Sequence, residues 1–387
     1  MKGRLAWLLL LVMLGGCLGG VPLDRYCYVL DLGVERGDVM PYRFVFLLNE
    51  DIADSGEEGG GKGQVSMVSA EEASLFAAID AISGALPAQL SFERTTLLAF
   101  SRELAEAGEI QAVTDGALSR LKIRKNVRVM VVEEDMRGAF QGLISAGDPS
   151  MTRLKANVRL LEENYGYVED WGLTRMGEAF RNQTGDALLP YAALVGRPIQ
   201  PDMAGGEVYP YLGGGLLGEG QIKTSLSGSA VFAGDRMVGL LSGQHTMLVL
   251  LSKGVFRAGH LRLPWGTGEV DLALYTVGKP KRSWSEGRFT CEITVEADLE
   301  NPAQMEVDSE ALIHTAENYL AEELRRVFFA TAQAGADVFE VGKEAVRHVR
   351  SWEAWQAYGF AARLKDTQAE FRVKVKLSHS PKDPALE

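Results

Sequence analysis

The chain reads as a multidomain α+β protein, with mixed or antiparallel sheets and helices packed on them, and three patterns predict it. From Phe289 to Ala297, apolar Phe289, Cys291, Ile293, Val295 and Ala297 alternate with Thr290, Glu292, Thr294 and Glu296. Ala369 to Leu377 repeats the alternation, with Glu370, Arg372, Lys374 and Lys376 on the polar side. Strict period two marks strands with one buried and one wet face. Between them Ile313, Ala316, Leu320, Leu324, Val327 and Phe328 fall three and four apart, the stripe of an amphipathic helix over Ser309 to Ala332. The third pattern is an alternation of strand-like and helix-like runs from Thr95 to Tyr165, which builds a sheet with helices on it.

At the N-terminus Lys2 and Arg4 precede ten uninterrupted apolar residues, Leu5 to Leu14. A membrane-spanning helix needs about 20, whereas a signal peptide needs a run of this length. Leu14-Gly15-Gly16-Cys17 then resembles a bacterial lipobox, in which the Cys thiol is diacylglycerylated and the chain is cut before it. The alternative is a plain secretory signal with an incidental Cys; charge, run length and small residues together favour the lipobox. Residues 1–16 are then the signal and 17–24 the anchor and tether. Removal of the signal takes the net charge from −12 to −14. Two acyl chains, at about 0.8 kcal/mol per buried CH₂, hold a protein stably on a bilayer. No later apolar stretch approaches 18 uncharged residues, so the expectation is a protein anchored to the outer face of the cell membrane without crossing it.

Tyr26 to Val34 and Tyr42 to Leu48 read as a hairpin around Gly37 and Asp38. Residues 54–64, with several Gly and charges, form a loop. Ser69 with Glu72 has the spacing of a capping box and predicts a helix to about Leu86. Thr95 to Phe100 is a strand. Arg102 to Leu121 is helical with a break at Gly108, Val127 to Val132 is a strand, and helices cover Met136 to Ser145 and Thr152 to Tyr165. These complete an N-terminal domain over 25–194. Gly196 to Gly220 is a Gly- and Pro-rich linker. Ser225 to Phe232 and Met237 to Leu241 form a hairpin around Gly234-Asp235, and His245 to Leu251 a short helix, giving a β-rich middle domain over 195–265. The C-terminal domain, 266–387, takes the two alternating strands as antiparallel neighbours with acids facing bases. A second helix follows the long one, from about Gly342 to His348.

Composition excludes several function classes. With 46% hydrophobic and 24% charged residues the chain is neither disordered nor fibrous. An excess of acid speaks against nucleic-acid binding, which needs clustered Lys and Arg. Three Cys build no disulfide framework, and Cys27 and Cys291, each at an apolar strand position, read as buried thiols. Gly213 to Gly218 matches a bare dinucleotide fingerprint, but strand-like sequence follows where a helix is required. Gly56 to Lys62 resembles the start of a phosphate loop, yet Gly63 stands where Ser or Thr should hold magnesium. Neither a zinc-spaced Cys pair nor a nucleophile elbow occurs, so no metal, cofactor or catalytic residue is assigned. His245 and His260 read as ordinary surface or satisfied histidines. Glu133-Glu134-Asp135 reads as a solvated turn that opens the next helix.

A series of short stretches resembles, in order, the C-subunit lipoproteins of spore germinant receptors, the Ger(x)C family. They are Val29 to Glu35, Ser101 to Gly108, Arg124-Lys125-Asn126-Val127, Leu188-Leu189-Pro190-Tyr191, Gly228 to Phe232, Gln333, Asp337 to Gly342, and Trp352 with Trp355. Two positions depart from the family pattern: Leu18-Gly19-Gly20 follows Cys17 in place of Trp-Asp, and Glu340 stands where Gly is usual. The resemblance implies an α+β fold of three domains without catalytic activity. It further implies a lipoprotein on the outer surface of the spore inner membrane, assembled with a polytopic A subunit and a transporter-like B subunit. That complex responds to small nutrients, and the germinant is expected to bind elsewhere in it. Asp337, Phe339 and Gly342 read as a capped turn between two C-terminal helices with Phe339 buried. The competing readings are a stand-alone solute-binding lipoprotein, with a cleft at the Gly196 to Gly220 linker, and a lipid-anchored hydrolase.

Overall fold

The computed structural model describes residues 26–50, 64–145, 152–194, 199–205, 224–300 and 308–378. Cys17 and the rest of the lipobox lie outside them, as do both rejected phosphate-binding motifs and most of the expected linker.

Two sheets organise the described residues. The first begins with the meander β1 (Tyr26–Arg36), β2 (Tyr42–Glu50) and β3 (Gln64–Glu72). It continues through β4 (Gln89–Ser91), β5 (Leu97–Ser101), β6 (Arg128–Val132), β7 (Leu188–Leu194), β8 (Thr224–Ala233) and β9 (Arg236–Leu241). The spatial order is β3-β2-β1-β5-β6-β7-β8-β9, with β4 beside the start of β1. Its centre, β1-β5-β6-β7, is parallel, and both flanks are antiparallel.

Parallel strands need crossover connections, and helices supply them. On one face lie α1 (Leu75–Ser83), α2 (Arg102–Ala107), α3 (Gln111–Arg120) and α6 (Leu173–Asn182), sharing a core with Leu98, Phe100, Val129 and Val131. On the other lie α4 (Met136–Ser145) and α5 (Thr152–Asn164), packed on Leu97, Ala99, Met130 and Val132. Neighbouring residues of one strand thus enter opposite cores, and β5 is buried at all five positions. The break between α2 and α3 falls at Gly108, whose φ of 76° closes α2 in the left-handed region.

The second sheet holds β10 (Ala258–Trp265), β11 (Gly268–Thr276), β12 (Lys281–Ser285), β13 (Arg288–Leu299) and β14 (Gln368–Leu377). β11 and β12 pair with successive halves of β13, which leaves β13's other side to β14. α8 (Ser309–Gln333), N-capped by Asp308, lays Leu312, Ala316, Leu320, Leu324, Val327 and Phe328 on one face of the sheet. Burying each Leu, Val or Phe contributes about 1.5–3 kcal/mol. Phe289, Phe328, Phe339 and Phe371 meet ring to ring in the same core. α7 (Gly243–Lys253) packs between the sheets, in one continuous core with Leu188 and Val231 of the first and Leu274 and Ile293 of the second.

Three expectations are corrected, and one helix is additional to them. Ser69 and Glu72 lie in β3, and the helix starts later, where the Ser74 hydroxyl accepts a hydrogen bond from the Ala77 amide at 3.2 Å. The region 195–265 forms no sheet of its own among the described residues. Its hairpin, β8-β9, joins the first sheet, and β10 joins the second. β13 and β14 are parallel; Glu292 still faces Arg372, and Glu296 faces Lys376, because α8 carries the chain back to the same end of the sheet. α6 was not expected, although Leu173, Met176 and Phe180 have helical spacing. Cys27 and Cys291 are buried in different sheets and are not joined by a disulfide.

Candidate functional site

The two sheets meet at the turn that follows α8. Asp337 caps it: one carboxylate oxygen accepts the Val341 amide at 2.8 Å and the other the Gly342 amide at 2.7 Å. Phe339 is buried. α9 (Val341–Ala345) starts here, so the turn does join two helices as the residues predict. Opposite stands Asp186, on the loop before β7. It accepts the Asp337 amide at 2.7 Å and the Gly234 amide at 2.8 Å, and its own amide donates to the Asp337 carbonyl at 3.0 Å. A Cβ on Gly342 would sit 3.0 Å from the Thr184 backbone. Glycine is needed here for close approach of two backbone segments, since neither has a flexible end to give.

A buried charge cluster adjoins this contact. Lys253, at the end of α7, donates to Glu169 at 2.6 Å, with both side chains 1% exposed. Arg175 on α6 reaches Glu169 at 2.7 Å and Glu340 at 3.1 Å, and Lys253 lies 3.4 Å from Glu340. The Trp171 indole donates to Glu169 at 2.9 Å and carries the Arg175 guanidinium on its face, 3.9 Å from the ring centre. Arg282 on β12 donates to the Phe339 and Glu340 carbonyls at 2.7 and 3.0 Å. Glu340 itself has φ of 55°. That conformation favours Gly, and in this chain the Glu340 carboxylate pairs with Arg175, Lys253 and Lys343.

The electrostatics divide the acids into two groups. Burial alone would raise Glu340, but Lys253, Lys343 and Arg175 outweigh it and hold its carboxyl at about 2. Glu169 is also held low, as Lys253 and Arg175 overcome its burial. Asp186 and Asp337 have only amide donors against burial, and burial wins: Asp186 is pushed up to about 6 and Asp337 well above the usual range.

This arrangement binds two halves of the molecule and leaves no nucleophile beside a base. No group of three or more His, Cys, Asp or Glu able to hold a metal occurs among the described residues. His260 is half-exposed and pairs with Glu300 at 2.7 Å. His245 departs from its expectation. It is buried on α7, 3.7 Å from Glu323, and neither ring nitrogen has a hydrogen-bond partner among the described residues. Glu133 is more than a solvated turn, since it takes Arg102 at 3.1 Å and the Tyr191 hydroxyl. An open polar depression of about 550 Å³ lies at Ser283, Glu286, Arg288, Thr290, Asp366 and Gln368, away from the joint. No described helix is long and apolar enough to cross a membrane.

Sequence reasoning found Asp337, Phe339 and Gly342 but missed Glu169, Arg175, Asp186 and Lys253. The available signals were Lys253 at the end of an apolar helix and Glu169 two residues before Trp171.

Residues 21–194 match the sequence family described as "Spore germination protein N-terminal domain". Residues 227–380 match "Spore germination B3/GerAC like, C-terminal". A solved structure described as "Crystal Structure of the GerBC protein" superposes with a TM-score of 0.51 at 12% identity, covering 89% of this chain and 96% of that one. At that identity the likeness is one of fold, and it extends to the whole α+β arrangement. No curated protein matches the sequence.

Proposed function

We propose, since this chain belongs to the spore germination GerAC family, that it is the lipid-anchored C subunit of a germinant receptor. A role in spore germination follows from the family; anchoring, partners and place are the further reading. Cys17 carries the lipid, and the protein sits on the outer face of the spore inner membrane. It acts by contact with the polytopic A and B subunits, while the small-molecule germinant binds elsewhere in the complex. It performs no catalysis.

The observation that carries this reading is the joint between the sheets. A subunit that relays contact needs its N-terminal, membrane-proximal part and its far part to behave as one body. The Asp186–Asp337 turn contact and the Glu169–Lys253–Glu340–Arg175 cluster join them through buried groups that resist separation.

The test is a tagged pull-down from detergent-solubilised spore membranes, beside Cys17→Ala. Recovery of two polytopic partners with the native chain, and loss of membrane retention in the variant, is the expected result. A membrane-bound chain recovered without partners would overturn the complex, and purified residues 21–387 would then be tested for thermal stabilisation by nutrients.

A further inference from the structure

Among the described residues six strands pair along one side only, and five of them are closed by identifiable devices: β4 is three residues long, and β12 carries Lys281 and Arg282. At β9 the Leu240 amide donates to the Asp202 carboxylate at 2.6 Å, and the Leu240 carbonyl accepts the Met203 amide at 3.2 Å. At β14 α8 lies along the strand, and the Val375 amide donates to the Glu317 carboxylate at 3.0 Å. β10 contains Pro264, which has no amide to donate at the edge, and the Tyr165 carbonyl lies over the face of the strand at Gly259, 2.6 Å from where a Cβ there would stand. Such closures are what folded proteins use to stop strands adding to a sheet.

β3 differs. All nine of its residues pair with β2, and no other described strand pairs with it. Its sequence, Gln64 to Glu72, contains no Pro, Lys or Arg. Val65 and Met67 reach one core of the sheet and Val68 and Ala70 the opposite core, all four only partly buried. A strand laid beside β3 would therefore complete apolar packing on both faces while its backbone extends the ladder. Beside the end of β3, Val39 is 88% exposed, and its amide donates to the Glu71 carboxylate at 3.1 Å. Glu35, Asp38 and Glu71 share Arg43 there, with Glu72 adjacent and Arg36 two strands away in the same row, so the acids outnumber the bases and that end is net negative.

We infer that β3 is a strand-addition edge. Its occupant is an extended segment of a membrane subunit, with apolar side chains at successive positions and a Lys or Arg where it passes Glu71 and Glu72. A second copy of this chain brings no base to the acidic end, since its own strand contains none. The identity of the partner rests on the receptor-subunit reading; the edge itself does not.

The experiment places a photoreactive phenylalanine at Ser69, which is exposed on β3, and as a control at Thr294 on β13. The full-length chain is co-expressed with the A and B subunits. Crosslinked peptides are identified by mass spectrometry, and hydrogen exchange over 64–72 is compared with and without the two subunits. The expected result is a crosslink from position 69, and not from 294, to one A- or B-subunit segment, with alternate amides of β3 slowed at least about tenfold. Co-purification of A and B without crosslink or slowed exchange at β3 overturns the edge proposal and leaves the receptor reading standing. A crosslink to another copy of the chain overturns the proposed occupant. Failure of A and B to co-purify overturns the receptor reading, and unchanged exchange in the lipidated chain in its own membrane would then also remove the edge.

Discussion

The nine-stranded sheet is covered on both faces at its parallel centre, whereas the five-stranded sheet is covered by helix on one. In the first, Val131 and Val132 are neighbours in β6 and each is buried, in opposite cores. In the second, Val295 is buried and Thr294 beside it is half-exposed. The difference decides how sequence encodes position. Two covered faces require apolar residues throughout; one covered face requires alternation. The same contrast assigns different duties to charge, which lies in the buried joint between the sheets and along the open polar face of the second.

Breaking the joint is expected to have the largest effect. Lys253→Met leaves Glu169 buried with one partner fewer, and a loss of about 3–5 kcal/mol is expected in urea unfolding. Adding Glu169→Leu should recover much of it, which distinguishes an uncompensated charge from lost packing. The pH dependence comes next. A raised acid such as Asp186 favours the fold at pH below its ordinary value, and that contribution disappears as pH rises through about 6. Glu340, held at about 2, contributes above its ordinary value and loses that contribution as pH falls through about 2. Stability should therefore decline on both sides of about pH 4–5, with Asp186 alone contributing up to about 3 kcal/mol on the alkaline side and Asp337 adding in the same direction. Asp186→Asn should flatten the alkaline slope; an unchanged slope would remove Asp186 as its source.

Isosteric substitutions sharpen the contrast of faces. Val131→Thr and Val132→Thr should each cost about 1–3 kcal/mol, because each places a hydroxyl in a core. In the second sheet Val295→Thr should cost as much, but Thr294→Val within about 0.5 kcal/mol. Equal costs at 294 and 295 would contradict a one-sided sheet. Glu340→Gly is expected to have a small net effect because two terms oppose. Relief of the left-handed backbone, about 1–2 kcal/mol, opposes loss of its pairing with Arg175, Lys253 and Lys343, for a net change within about 1 kcal/mol.

The contrast also explains what was legible in the sequence. β13, β14 and α8 were readable almost to the residue because one face of each is wet. The direction of β14 was not, since acids opposite bases suit parallel and antiparallel pairing alike; α8 between them settles it. β7 escaped as a strand because Pro190 interrupts it, and the ladder is irregular just beyond. The capping-box spacing at Ser69 was a coincidence of strand residues, whereas Ser74 performs the capping. Of the joint, the Asp337 turn was visible because its hydrogen bonds are local. Asp186, Arg175 and Lys253 lie more than 80 residues away from it in sequence, and nothing in the neighbourhood of Asp186 or Arg175 announces them.

The order of the first sheet governs how it can assemble. From β1 the meander grows outward to β3 on one side, and β5 to β9 add in chain order on the other. Each strand after β1 joins an edge already laid down, and no later strand has to be threaded between earlier ones. A chain emerging N-terminus first can therefore zip the sheet in both directions from its first strand. β1 is then the seed on which the whole sheet depends. A lesion in Leu32 or Val34 should appear as failure to accumulate the protein, before any loss of stability in the finished fold could be measured.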